Sequence, residues 1–350
     1  MQIIREDCGV TVKGQQLECI TLKNDHETTL KITNYGGIIM SLIFFDNDQQ
    51  PIDIVLGFEK VSDYFAKEYL ENDYPYFGAV IGRYANRIKN GRFTLEGVDY
   101  QLAQTLGNDC LHGGVEGFDK KVWEVLSVTE QPIPSVTLRY VSPDGEENFP
   151  GNLTVLQTFS LTNENEVIIE FESTTDKTTV VNLTHHEYFN LNGGSGTIGD
   201  YLLSLNSSAY LEQDDSMVTN GNLVNVEGTA HDFRVAKTIN HNWDEQLGYD
   251  QTFVIDKEAG ELGLAAKAQS NKTGIELEIL TTEPIVHLYT AAFVPQTRGK
   301  QGQMYGPFSA FCLETQVHPN ALNIPSFPNT VLKPGEKQYS KTIYKLRIVE

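Results

Sequence analysis

Short runs of alternating apolar and polar residues recur along the chain, at residues 30–33, 136–140, 155–161, 167–171 and 277–280. Period-two alternation turns successive side chains to opposite faces, so each run reads as a strand with one face on a core. Turn dipeptides punctuate them: Asn90-Gly91, Glu96-Gly97, Asp144-Gly145, Asn192-Gly193 and Asn220-Gly221. Asn90-Gly91 predicts the clearest hairpin, because Gly91 tolerates the positive φ of a primed turn. Only residues 61–70 read as a helix, and a short one. Many strands at close spacing predict an all-β sandwich with few short helices. No Pro/Ser/Gly linker, charge block or fixed-period repeat divides the chain, so residues 1–350 are expected to form a single domain.

Residues 182–191 stand out. On a strand, Val180, Asn182, Thr184 and His186 share one face, and Val181, Leu183, His185 and Phe189 share the other. The first face turns polar toward its C-terminal half while the second is mostly apolar. One side is therefore expected on a core and the other along a wet cleft. A histidine facing that cleft, with an unperturbed pKa of about 6.5, is a proton donor whose charge small shifts decide.

Composition narrows the partners. The formal charge of −21 at pH 7 speaks against a nucleic acid or an anionic membrane, and weakens the case for a strongly anionic substrate. No apolar run approaches the ~20 residues that cross a bilayer. The charged opening, residues 1–10, lacks the apolar stretch of a signal peptide, and a cytoplasmic location is expected. Cys8, Cys19, Cys110 and Cys312 lack C-x-x-C spacing and fit free thiols in a reducing compartment.

Four further segments carry groups able to do chemistry. In residues 82–88, G-R-Y-A-N-R-I, Asn86 and Arg87 offer donors to hydroxyl oxygens; a strand-end arginine paired with a surface carboxylate is the plainer alternative. In Leu111-His112-Gly113-Gly114 the glycines permit close backbone approach to a ligand, or form a plain turn. Asp250 precedes an apolar strand and is either a turn former or a site residue. Glu314 shares a strand face with Cys312 and Gln316, beside apolar neighbours, and is a candidate general base or a strand-edge carboxylate in water. No G-x-S-x-G elbow, phosphate loop or H-E-x-x-H helix is present. His185 and His186 point oppositely on a strand and cannot share one metal. Trp123 and Trp243 read as packing or turn residues.

Taken together, these segments resemble the aldose 1-epimerase (galactose mutarotase) family. The matching pieces run in the family's order: G-R-Y-A-N-R-I, L-H-G-G-V-x-G-F-D-K, N-L-T-H-H-E-Y-F-N-L, G-T-A-H-D-F-R, G-Y-D-Q-T-F-V and C-L-E-T-Q-x-H-P-N, from about Asn34 to Tyr344. The resemblance implies a large antiparallel β-sandwich with a sugar cleft on one concave face. It also implies interconversion of the α and β anomers of free aldoses such as galactose and glucose, with no cofactor and no metal. Glu314 matches the family's general base and His186 its general acid. His112 matches a second active-site histidine near the sugar ring oxygen, and Asn86, Arg87 and Asp250 match residues that bind sugar hydroxyls. Glu314 and Asp250, if near, are expected to raise the His186 pKa.

The chain departs from the family pattern in three places. His185-His186-Glu187 replaces Asn-His-Ser, so His185 and Glu187 are expected to pair behind His186. His287 stands where a substrate-binding Gln is usual, and Asn320 where an Asp is usual. These changes bear on sugar choice and admit a disaccharide such as maltose as an alternative substrate. A sugar-binding protein without catalysis, and a glycosidase using Glu314 with Asp250, are the rival readings. The expected partner is a small aldose, and the expected assembly a monomer or homodimer.

Overall fold

The structure, a computed structural model, describes residues 1–349. It is built from strands; its α-helix among the described residues is the four-residue Lys67–Leu70. Nine strands form the largest sheet, in the order Glu124–Thr129, Ser135–Ser142, Leu153–Leu161, Glu166–Thr175, Gln338–Ile348, Ile275–Thr281, Gly263–Gln269, Leu202–Leu205 and Lys237–Thr238. A five-stranded meander covers Gln2–Val12 to Pro51–Asp53. A second five-stranded sheet runs Thr219–Asn225, Ala209–Gln213, Asp250–Val254, Ile285–Tyr289 and Cys312–Gln316. Pairing within all three sheets is antiparallel.

The alternation seen in the sequence is what lets these sheets stack. In Glu166–Thr175 the residues Val167, Ile169 and Phe171 are buried, and the intervening Glu166, Ile168 and Glu170 are half-buried. The buried set meets Ile20, Leu30 and Leu42 from the meander, and Phe253, Leu288 and Leu313 from the second five-stranded sheet, in one core cluster. Each such side chain contributes about 1.5–3 kcal/mol on burial. The all-β sandwich is therefore observed, with one layer of nine strands shared by two smaller sheets.

Local expectations fared unevenly. Asn90-Gly91 does not close a hairpin: Arg87–Ile88 pairs with Cys110–Leu111, and the turn carries the chain sideways while the Asp109 carboxylate accepts from the Asn90 N–H at 2.7 Å. The two-residue hairpin sits at Glu96-Gly97, with Leu95 opposite Val98 and φ of +51° and +79°. Asn220-Gly221 lies inside the strand Thr219–Asn225, and the turn is made earlier, where Asp214 N donates to Val218 O at 2.9 Å. The helix expected at 61–70 is split into a 3-10 turn, Val61–Phe65, and Lys67–Leu70 by extended Ala66.

Residues 180–189 are not one strand either. Thr179–Val180 and Thr184–His186 pair with Val331–Leu332 and Ala79–Ile81 respectively. Between them the Asn182 side chain takes over, bonding the Val317 carbonyl and N–H at 3.1 and 3.0 Å. A buried amide thus replaces ladder bonds where the chain changes partner.

Candidate active site

Three adjacent strands of the second five-stranded sheet set one wall of the site. In register, Thr252 lies opposite His287, and His287 lies opposite Glu314, so the three side chains form one row across the strands. Asp250 begins its strand two residues before Thr252 and therefore shares its face. A second stretch of wall, Thr184–His186, runs beside Cys312–Gln316, to which its chain is bridged at Phe189–Phe311, and its pairing with Ala79–Ile81 fixes it in place.

A third wall is a reciprocal backbone link between two segments far apart in sequence. The His112 N–H donates to Asn86 O at 3.1 Å, and the Asn86 N–H donates to His112 Nδ1 at 3.2 Å. Both residues have positive φ, +61° for Asn86 and +53° for His112. The next residue must be glycine: a Cβ on Gly113 would meet the Gly82 carbonyl oxygen at 2.1 Å, at a φ of +87°. Of the two glycines in L-H-G-G, Gly113 thus serves backbone-to-backbone packing, and Gly114 makes room for the Glu147 carboxylate.

These walls enclose a cleft of about 660 Å³. Glu314, His186, Asn86, Arg87, His112, Asp250 and His287 all line it. Glu314 and His186 are both buried, with Nε2 of the imidazole 3.5 Å from Oε1 of the carboxylate. Glu314 Oε2, Arg87 Nε and His186 Nδ1 have no partner among the described residues. Buried polar groups without partners are costly, and in a cleft they mark where a polar ligand would bond.

Protonation states follow from the surroundings. Burial first, then the charges of His186 and Arg87, pushes the His112 pKa well below 6.5. The ring is neutral, and because Nδ1 accepts from Asn86 the proton sits on Nε2, which makes that atom a donor to the cleft. The ligand atoms of His112, His186 and Glu314 lie within 4.8 Å of one another, a metal-like spacing. A protonated Nε2 cannot ligate, so the donor set does not fit a metal.

The expected rise of the His186 pKa is not found. Burial lowers it, and the Glu314 carboxylate, which acts in the expected direction, does not outweigh that desolvation. Asp250 is the reverse case. Burial pushes its carboxyl up, but the His287 hydrogen bond and the charges of His287 and Arg87 bring it below its usual value. Asp250 Oδ1 accepts from His287 Nε2 at 2.8 Å, and Arg87 Nη2 stands 3.8 Å from Oδ2. His287 Nδ1 is 2.8 Å from Thr252 Oγ1, so both of its nitrogens are engaged and neither is free for a ligand.

Behind the cleft, His185 Nδ1 lies 3.1 Å from Glu187 Oε1, both buried, which is the pairing expected for that departure. Burial raises the Glu187 pKa even so. Asn320 does not line the cleft; its Oδ1 accepts from the Lys89 N–H at 3.1 Å and braces a loop. Trp123 is wholly buried and Trp243 packs on Phe308, so neither lines the cleft. Among the lining residues that the sequence did not single out are Tyr76 and Tyr188, which stack near-parallel to the His186 ring. Tyr188 was legible, being two residues from His186; Tyr76 gave only an aromatic-rich stretch, D-Y-P-Y-F.

Known proteins place this arrangement. A family model described as Aldose 1-epimerase matches residues 18–345. The galactose mutarotase of Sus scrofa is 39% identical over 338 residues, 95% of this chain and 93% of that one. The aldose 1-epimerase of Escherichia coli K12 is 30% identical, covering 98% and 99%. Among solved structures, an aldose epimerase homologue from C. elegans superposes with a TM-score of 0.87 at 31% identity, covering 95% and 99% of the two chains. The galactose 1-epimerase of Lactobacillus acidophilus gives 0.85 at 26%, covering 100% and 99%. With the match running through nearly the whole chain, and the cleft residues assembled as described, the protein belongs to the aldose 1-epimerase family.

Proposed function

We propose that the protein is a mutarotase, interconverting the α and β anomers of free aldoses such as galactose and glucose, with Glu314 as general base and His186 as general acid. The observation that carries these roles is the 3.5 Å between His186 Nε2 and Glu314 Oε1. The reaction removes a proton from the anomeric hydroxyl and delivers one to the ring oxygen. Both oxygens are bonded to the same carbon, so acid and base must stand close together.

Glu314 takes the O1 proton as the electron pair of that bond forms the aldehyde, and the C1–O5 bond breaks while His186 protonates O5. Rotation about C1–C2 presents the other face of the aldehyde. The reverse transfers then close the ring as the other anomer: His186 regains its proton from the O5 hydroxyl, and protonated Glu314 gives its proton to O1. Each positioned group of this kind supplies roughly 10²–10⁴-fold. His112 Nε2–H donates near the ring oxygen, while Asn86, Arg87 and the ionised Asp250 bond sugar hydroxyls. His287 serves the sugar through Asp250.

The charge state of Asp250 weighs against a glycosidase that uses it as the acid. That reaction needs one protonated carboxyl with a second carboxylate roughly 5–9.5 Å away. Asp250 is held in its ionised form, so it is a poor acid. A disaccharide substrate such as maltose has an observation in its favour: the cleft of about 660 Å³ lies within the ~300–1,000 Å³ that holds drug-sized ligands, and it extends to Thr105, Leu106 and Phe293. Polarimetry on freshly dissolved α-galactose, α-glucose and α-maltose separates the readings. Faster rotation change on a free hexose is expected; acceleration on maltose alone supports the disaccharide. Monosaccharide release from maltose identifies a hydrolase, and no effect on any sugar leaves a binding protein.

One domain is supported by a large buried cluster that draws residues from Ile20 to Leu346. A cytoplasmic place is supported by four cysteines that are all free thiols. No helix of the described residues is long and apolar enough to cross a membrane.

A further inference from the structure

The His186 ring lies near-parallel to two aromatic rings. Tyr188 lies with its centroid 4.9 Å away at an interplanar angle of 11°, and Tyr76 lies 6.0 Å away at 16°. Both are parallel stacks. His112 meets the same ring edge-on at 5.4 Å, and meets Tyr76 edge-on at 4.9 Å. Tyr188 is buried and lies on the same side of its segment as His186, while Tyr76 reaches in from a separate loop with a φ of +58°.

Such a cage answers a difficulty in the site. The general acid must carry a proton, yet burial disfavours the charged imidazole, and His112, His185 and His287 around it add no negative charge. Glu314 and Asp250 are the carboxylates facing the ring, and Asp250 is already bound to His287 and near Arg87. Behind Tyr76 stands Lys120, its ammonium 5.3 Å from that ring and 4.2 Å from Tyr74, with its charge offset by Asp119 at 2.5 Å. The negative π face of an aromatic ring attracts a cation within about 6 Å, more strongly once water is excluded.

We infer that Tyr76 and Tyr188 are positioning residues that stack their π systems on His186 and keep its protonated, proton-donating form available inside the buried cleft. The neutral ring gains little from this arrangement and the imidazolium gains more, so the two tyrosines favour the protonated histidine. Neither hydroxyl is needed for this effect.

The inference rests on His186 being the acid, and the test keeps the two apart. Mutarotation is followed over pH for the wild type, His186→Asn, and Phe and Leu variants of Tyr76 and Tyr188. The His186 ring is titrated by NMR in the same proteins. Leucine fills a similar space without a π face. Each Leu variant is expected to move the alkaline limb of kcat and the NMR titration to lower pH by about one unit, and to lower kcat at neutral pH roughly tenfold with KM within about threefold. The Phe variants are expected to keep the wild-type limb. Leu variants that leave the limb and titration in place overturn the inference, as do Phe variants displaced as far as Leu, which would assign the effect to the hydroxyls. Full activity in His186→Asn instead removes the acid assignment itself. Tyr76 is only half-buried, so its variants give an answer even if those at Tyr188 fail to fold.

Discussion

His287 faces Glu314 directly across neighbouring antiparallel strands, yet its two ring nitrogens bond Asp250 and Thr252, on the strand to the other side. The imidazole is thus a strut: it fixes a carboxylate in the cleft and takes no free nitrogen to the sugar. Replacing it with alanine removes a hydrogen bond to a charged group, worth about 1.5–3 kcal/mol. His287→Ala is expected to raise KM roughly tenfold with kcat changed by less than about threefold, and His287→Gln, which can still donate to Asp250, to recover most of the loss. Steady-state curves on both variants check this; a collapse of kcat at constant KM would place His287 in the chemistry instead.

Glu314→Gln keeps the shape of the strand row and removes the base. The variant is expected to lose roughly 10²–10⁴ in kcat while binding sugar within a few-fold of wild type. Polarimetric rates and a sugar titration by calorimetry measure the two quantities. Retention of more than a tenth of the rate would move the base elsewhere.

Glu283, buried at the turn into the strand Ile285–Tyr289, has its carboxyl pushed up to about 7 by desolvation. Its ordinary value is near 4.5, so between pH 4.5 and 7 the folded state holds a proton that the unfolded state has released. Stability from this group is therefore lost as pH rises through that window. Glu283→Gln does not titrate. It is expected to match wild type near pH 4.5 and to exceed it by about 3 kcal/mol at pH 8. Urea unfolding at the two pH values decides it, and a gap that narrows with rising pH would contradict the assignment.

Arg83 is nearly inaccessible, and its guanidinium donates to the carbonyls of Pro150 at 2.7 Å, Gly151 and Ser142 at 3.1 Å and Pro143 at 3.3 Å. Arg83→Met strands several buried acceptors at once. A loss of about 3–5 kcal/mol is expected, with the sugar site intact below the melting transition because none of these groups lines the cleft. Chemical denaturation together with activity at low temperature tests both halves.

Strand alternation was enough to place His186 toward the cleft, His185 behind it, and Glu314 on a polar strand face, because side-chain direction is a local property. It also explains the His185–Glu187 pair, two residues apart on one face. What it could not show was the row Thr252–His287–Glu314, since register between strands far apart in sequence is decided by packing. The charge state of His186 failed for a related reason. The carboxylate neighbour was visible in the sequence, but the burial that outweighs it is built by segments far apart in sequence. Asn90-Gly91 had suitable residues for a hairpin, yet the competing link from Leu111 to Arg87 used the strand before it.

The strand Gln338–Ile348 lies fifth of nine in the large sheet, joining Glu166–Thr175 on one side to Ile275–Thr281 on the other. A chain emerging from the ribosome therefore makes both halves of that sheet before it makes the piece that unites them. Until then each half carries a bare hydrogen-bonding edge, a condition under which nascent chains associate wrongly. A chaperone that shields those edges would act at this stage, and a stop codon placed before residue 338 would leave the two halves unjoined, however complete the sugar site's own residues.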